Sequence, residues 1–182
     1  MNVKKELKKK DKILNEIEKN VWRYNLMKVA IITASTAVYK GEQEDASGKV
    51  IRKMVEEAGL DVVFMKALPT DKTVLSTVFQ RMADGNLADL ILTTGGAGCG
   101  PEDCTPEATM EVVDRPLLGI PEGMRAHMLT LTKRAMLNRA AAGIRGNVVI
   151  VNLPGKAGAV KECLGYILPE VMHAVEVAQG IK

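Results

Sequence analysis

The 182-residue sequence predicts an α/β protein with three layers, α/β/α, around a mostly parallel, doubly wound sheet. Three observations carry that expectation. Short apolar runs rich in Val, Ile and Thr alternate with segments whose apolar residues recur at helical spacing. The runs at 29–33 and 90–94 are apolar on successive positions, as suits strands covered on both faces. The turns bearing reactive side chains (Ser35-Thr36, Thr70-Asp71, 95–103 and 152–155) follow the runs, where the carboxyl ends of parallel strands gather ligands.

Residues 1 to about 26 form a separate Lys/Glu-rich extension of high helix propensity, ending near Trp22-Arg23-Tyr24-Asn25. It reads either as an added helix packing Val21, Trp22 and Leu26 on the domain or on a neighbouring subunit, or as a mobile tail. Residues 27–182 form one domain. Its first strand is Val29-Ala30-Ile31-Ile32-Thr33, followed by a polar loop through Ser35, Thr36 and Gly41 to Gly48. Val50, Ile51, Met54, Val55 and Ala58 then mark a helix that Gly59 ends. The second strand is 61–65, and Thr70 or Asp71 caps a helix carrying Val74, Leu75, Val78, Phe79 and Met82.

The third strand, 90–94, breaks into glycines at 95, 96, 98 and 100. A helix over 106–113 follows, with Thr105 as N-cap, Pro106 at the first helical position and Glu107 complementing the positive end. A further helix spans about 121–133 with Met124, Met128 and Leu131 on one face, a spacing that reads as core packing. Strands are expected at 135–140 and 147–152, joined through Gly143 to Gly146. The last breaks at Leu153-Pro154-Gly155-Lys156 before a long helix bearing Val160, Cys163, Leu164, Ile167, Val171, Val175 and Ala178.

Composition narrows the function. Aromatics make up 3% of the chain, too few for a platform that stacks single-stranded nucleic acid, and the net charge of +3 is concentrated in the first dozen residues. No nucleic-acid partner is expected. Cys99, Cys104 and Cys163 lack metal-ligand spacing and read as free thiols, with His127 and His173 far off in sequence. No apolar stretch is long enough to span a membrane and the N-terminus is charged, so a cytoplasmic protein is expected.

The stretch from Leu90 to Glu107 concentrates the chemistry: strand, glycine turn and helix start present free N–H groups to a phosphate. Asp103 inside the loop is a poor phosphate ligand but a good anchor for Mg²⁺. A nucleotide or phosphorylated ligand with a metal is the implied occupant. The loop has no Gly-Lys-Ser/Thr ending, and its glycines do not fit the dinucleotide fingerprint.

The pattern Thr93-Thr94-Gly95-Gly96-x-Gly98, four residues, Asp103-x-Thr105-Pro106-Glu107-Ala108-Thr109 resembles the signature of the molybdenum-cofactor-binding domain, nearest the MogA/MoaB-type molybdopterin adenylyltransferases. The likeness continues through 119–125, 135–139, 143–145 and 152–155 with Lys161-Glu162, covering roughly 27–180. It implies that fold, with molybdopterin and Mg²⁺-ATP as ligands and AMP transfer to the pterin phosphate as the reaction. It also implies a homotrimer and a metal-insertion partner protein of the same pathway.

On these matches Asp71 and Asp103 are the catalytic or metal-holding carboxylates, and the amides of Gly95, Gly96 and Gly98 cradle phosphate, with Thr93 and Thr94 lining the site. Asn152, Pro154 and Gly155 shape the opposite wall. Arg125 and Arg139 pair with the pterin phosphate or buttress the loop, and Asn138 lies in the same set. Plainer readings stand beside these: Asp71 as a helix cap, Asp103 as an Asx-turn residue, Arg139 as a structural or interface residue, Pro154-Gly155 as a sharp turn and Asn138 as a strand residue. The chain departs from the family pattern at Thr36, Ala97, Glu102, Asn138 and Gly158. A non-catalytic pterin carrier on the same fold is the alternative these departures raise; a metal-insertion domain ranks below both.

Overall fold

The computed structural model describes residues 26–181, so the expectations for the N-terminal extension lie outside the described residues except at Leu26. Six strands form one sheet: β1 (Lys28–Ala34), β2 (Asp61–Leu68), β3 (Leu90–Thr94), β4 (Arg115–Pro116), β5 (Ala142–Arg145) and β6 (Val148–Leu153), in the order β2-β1-β3-β6-β5-β4. The four strands from β2 to β6 are parallel, with Val29 opposite Leu90 and Leu90 opposite Val149. Helices are α1 (Thr36–Tyr39), α2 (Ala46–Glu57), α3 (Lys72–Asp84), α4 (Thr105–Val112), α5 (Gly119–Leu129) and α6 (Ala157–Ala178), with a 3₁₀ turn at Lys133–Leu137.

Strand alternation sorts the core into two slabs. Val29, Ile31, Leu90, Leu92, Val149 and Val151 face α2, α5 and α6, which bring Ile51, Val55, Met124, Cys163, Leu164 and Val171. Ala30, Ile32, Ile91, Val148 and Ile150 face α3 and α4, which bring Leu75, Phe79, Met82, Ala108 and Val112. Because both faces are covered, β3 is buried along its whole length, as its unbroken apolar run requires.

Several elements differ from the sequence expectation. The stretch expected as a strand at 135–140 is the 3₁₀ turn and an extended tail, because its backbone donors are used elsewhere. Arg139 N donates to Ala97 O at 3.0 Å, Ala140 N to Asn138 Oδ1 at 2.8 Å, and sheet pairing begins only at Ala142. Met136 and Leu137, apolar enough to suggest a buried strand, are exposed. Gly143 lies within β5 rather than in the connection; the β5–β6 pair is an antiparallel hairpin closed at Gly146, where φ is +58°. Thr105 is the first helical residue of α4, not its N-cap, since its hydroxyl turns back to donate to Gly95 O at 2.9 Å. Helix α5 ends at Leu129, leaving Leu131 exposed beyond it, and Val74 is exposed on α3. Helix α2 begins four residues before Val50, where Asp45 caps it by accepting from Gly48 N.

Candidate active site

The order β2-β1-β3-β6 reverses the direction of winding between β1 and β3, and a cavity of about 530 Å³ opens at their carboxyl ends. Ser35 and Thr70 wall one side, Gly95 and Gly96 form the floor, and Glu102, Asp103 and Lys156 close the other. The glycines are dictated by space. A Cβ on Gly95 would lie 2.5 Å from Ala34 O, and one on Gly96, with φ at +62°, would lie 2.3 Å from Thr105 Oγ1. Only a bare backbone fits this turn, and a bare backbone offers its amides to an anion.

The turn is held from both sides. Thr94 Oγ1 donates to Pro154 O at 2.6 Å, joining the end of β3 to the turn that starts α6, and Gly155 packs against Gly95 Cα. Asp103 folds back to accept from Gly100 N at 2.7 Å through Oδ2, while its carboxylate still lines the cavity. Arg139 donates to Gly98 O and to Asp103 O at 2.8 Å and pairs with Glu107. Burial tends to raise the Glu107 carboxyl, but the Arg139 hydrogen bond and charge prevail and hold it below the usual carboxylate value.

A second cavity of about 440 Å³ adjoins the first on the far side of the glycine turn. Ala97, Met128, Leu137 and Pro154 give it a largely apolar wall, and Asn138 and Arg134 supply polar groups. Its charged lining residues, Arg134 and Lys156, are both basic, so it joins apolar surface to positive charge.

Of the residues singled out from sequence, Thr94, Gly95, Gly96, Asp103 and Gly155 meet at the first cavity; Gly98, Asn138, Pro154 and Gly155 meet at the second. Thr93 and Asn152 do not line either. Both are fully buried beneath the floor, where Asn152 Nδ2 donates to Thr93 Oγ1 at 3.0 Å and Thr109 Oγ1 at 2.8 Å, and its Oδ1 accepts from Ala141 N. Arg125 donates to the carbonyls of Asn138 and Ala140, so it and Arg139 both brace loop backbone. Asp71 lines neither cavity: it caps α3, accepting from Val74 N at 2.9 Å, and follows Thr70, which lines the first.

Sequence reasoning passed over Thr33, Glu44 and Lys156, which also line the first cavity. Lys156 was within reach, since it directly follows the Pro154-Gly155 turn. Thr33 looked like the tail of an apolar strand, yet its hydroxyl donates to Asp45 Oδ2 at 2.8 Å and fixes the start of α2. Cys104, the residue preceding α4, is held protonated: partial burial raises its pKa, and the nearby Asp71, Glu107 and Asp103 carboxylates push the same way. Cys104 is therefore not placed to act as a thiolate nucleophile.

Fold and site together define a class: a doubly wound α/β protein with a glycine-floored anion cleft at its switch point and a less polar cavity beside it. The chain belongs to the molybdopterin-binding family, its residues 30–173 matching the domain described as "Probable molybdopterin binding domain". It is 34% identical over 154 residues to the molybdopterin adenylyltransferase of Helicobacter pylori, covering 84% of this chain and 88% of that one. Against the molybdopterin adenylyltransferase of Pyrococcus furiosus the identity is 38% over 158 residues, with 84% and 91% covered. The crystal structure of the molybdopterin biosynthesis enzyme MoaB from Thermus thermophilus superposes with a TM-score of 0.80 at 37% identity, covering 85% of this chain and 98% of that one.

Proposed function

We propose that this chain is a molybdopterin adenylyltransferase of molybdenum cofactor biosynthesis, moving AMP from ATP to the phosphate of molybdopterin with release of pyrophosphate. The observation that carries the reading is the bare Gly95-Gly96 turn, which lines the first cavity together with Asp103 and with Gly155, a residue the second cavity shares. The relatives in Helicobacter and Pyrococcus that bear this activity in their names support it.

In the reaction an oxygen of the pterin's phosphate monoester bonds to the α-phosphorus of ATP. The bond from that phosphorus to the α–β bridging oxygen breaks, and pyrophosphate leaves with the electron pair. The attacking group is already anionic at neutral pH, so the chain's task is alignment and charge neutralisation rather than proton abstraction. The amides of Gly95, Gly96 and Gly98 would hold phosphate oxygens, with the nucleotide in the first cavity and the pterin in the second.

Mg²⁺ is bound through one or two carboxylates together with substrate phosphates, so a full protein cage is not required. Asp103, which lines the first cavity, fits that role, and Asp71, next in sequence to the lining residue Thr70, is the second candidate. Among the described residues no three His, Cys, Asp or Glu side chains form a group that would hold an ion by themselves. Bound there, Mg²⁺ would neutralise charge on the triphosphate.

Incubation with molybdopterin, ATP and Mg²⁺ tests the reading: adenylated pterin and pyrophosphate should appear in equal amounts, and their absence would overturn it. One observation favours a second reading. Glu102 sets a carboxylate at the wall of the first cavity, against a polyanion. A non-catalytic molybdopterin carrier would bind the pterin and ignore nucleotide in calorimetry. We read the assembly as a homotrimer in the cytoplasm that passes its product to a metal-insertion partner. Exposed Leu118, Leu131, Met136 and Tyr166 supply apolar surface for such contacts, and light scattering at three chain masses is the check. Among the described residues no helix is long and apolar enough to cross a membrane.

A further inference from the structure

The two cavities share two lining residues, Gly155 and Lys156. Gly155 has no side chain to offer, so among the described residues Lys156 is the one with a side chain that lines both cavities. Among the described residues it is also the sole basic one lining the first cavity, whose acidic ones are Glu44, Glu102 and Asp103. Glu44 is answered by Lys49, which lies outside the lining. Of the neighbouring guanidiniums, Arg139 is committed to Gly98 O, Asp103 O and Glu107 and Arg125 to the carbonyls of Asn138 and Ala140, while Arg134 lines the second cavity but not the first. The Lys156 ammonium is exposed and makes no hydrogen bond or ion pair with any described residue. Its backbone is nonetheless fixed, since it follows the turn that Thr94 pins at Pro154 and its carbonyl accepts from Val160 N at 2.9 Å to open α6.

Joining two phosphates requires that two anions approach within bonding distance, and their repulsion is largest where water is excluded. We propose that Lys156 bridges the two substrates, donating at once to the pterin's phosphate monoester from one side and to the α-phosphate of the nucleotide from the other. An ammonium suits this place because its three donors point in different directions on a flexible stem, where a planar guanidinium would favour a single bidentate partner. The inference rests on the adenylyltransferase reading for which phosphates meet there. The bridging itself is a statement about binding and is tested as such.

The experiment compares the wild-type protein with K156Q and K156R, each first checked for an unchanged melting curve. Calorimetry with the non-transferable analogue α,β-methylene ATP, and separately with molybdopterin, gives two affinities per protein. A residue that serves both ligands predicts that K156Q weakens each by about tenfold, the scale of one charge-assisted hydrogen bond, and that K156R recovers part of each. Turnover at saturating substrates should fall further than either affinity, by about a hundredfold, because the charge on the joined phosphates is greatest in the transition state. Loss of affinity for only one ligand, or for neither, overturns the bridge. Loss of both affinities in K156Q, when the wild-type protein itself forms no adenylated pterin, would keep the bridge and remove the reaction assigned to it.

Discussion

Arg139 and Glu107 form an ion pair across the base of the glycine loop, and the same guanidinium donates to the backbone oxygens of Gly98 and Asp103. One side chain thus ties the loop that carries Asp103 to the first turn of α4. Its removal should loosen the loop before it unfolds the protein. R139Q is expected to lower nucleotide affinity several-fold while the urea midpoint moves little. The pair itself is worth only about 0.5–1 kcal/mol in a double-mutant cycle with E107Q, since its side chains remain 38% and 45% exposed.

The same pair makes a pH prediction. Glu107 has a folded pKa below its ordinary 4.5, so its stabilising contribution is complete above that value and disappears as pH falls through the folded value. Melting temperatures measured from pH 7 down to pH 3 should fall more steeply in the wild type than in E107Q below about pH 4.5. Parallel curves would show that the pair carries no pH-dependent stability.

Gly96→Ala places a methyl 2.3 Å from Thr105 Oγ1 on a backbone with φ at +62°. Strain of about 1–3 kcal/mol is expected, seen in urea unfolding, together with loss of nucleotide binding. The double variant G96A/T105A should recover only part of that stability and none of the binding, because the clash with the hydroxyl is gone but the positive φ still strains the alanine and the hydroxyl's bond to Gly95 O is lost.

Asp71 caps α3, and a single substitution separates that role from the catalytic one proposed for it. Serine caps helices about as well as aspartate, so D71S should keep stability within about 0.5 kcal/mol of the wild type. If Asp71 also serves the reaction, D71S should lose turnover by two orders of magnitude or more. Full turnover in D71S would reduce Asp71 to its cap on Val74 N.

Asn152 is a support rather than a contact. Replacing it with Leu leaves Ala141 N and the Thr93 and Thr109 hydroxyls without their partner beneath the cleft. A loss of about 2–4 kcal/mol in chemical unfolding is expected, with nucleotide affinity falling only as the fold loosens.

How legible the site was in the sequence depended on whether its signal was local. Gly95, Gly96 and Asp103 lie within nine residues, and the strand before them and helix after them are written in periodicity and cap chemistry. The layering was equally plain, because Val29–Ile32 and Leu90–Leu92 are apolar at every position and can only be covered twice. What escaped were assignments decided by distant partners. The 135–140 stretch has strand-like apolar character, but Ala97 O takes the Arg139 amide, and nothing local announces that. Asn152 and Thr93 sit in strands whose ends face the cleft, yet their mutual hydrogen bond and Thr109 turn them inward. Thr105 looked like a cap because threonine commonly is one; Gly95 O, ten residues earlier, claimed its hydroxyl instead.

Strand β4 is two residues long and one of them is Pro116. A proline nitrogen has no hydrogen to give, so this short flank of the sheet is a poor template for a strand from another molecule. Copies of this chain that meet along that flank therefore join more readily through side chains, and the growing ladder that seeds fibrils finds a weak first rung there.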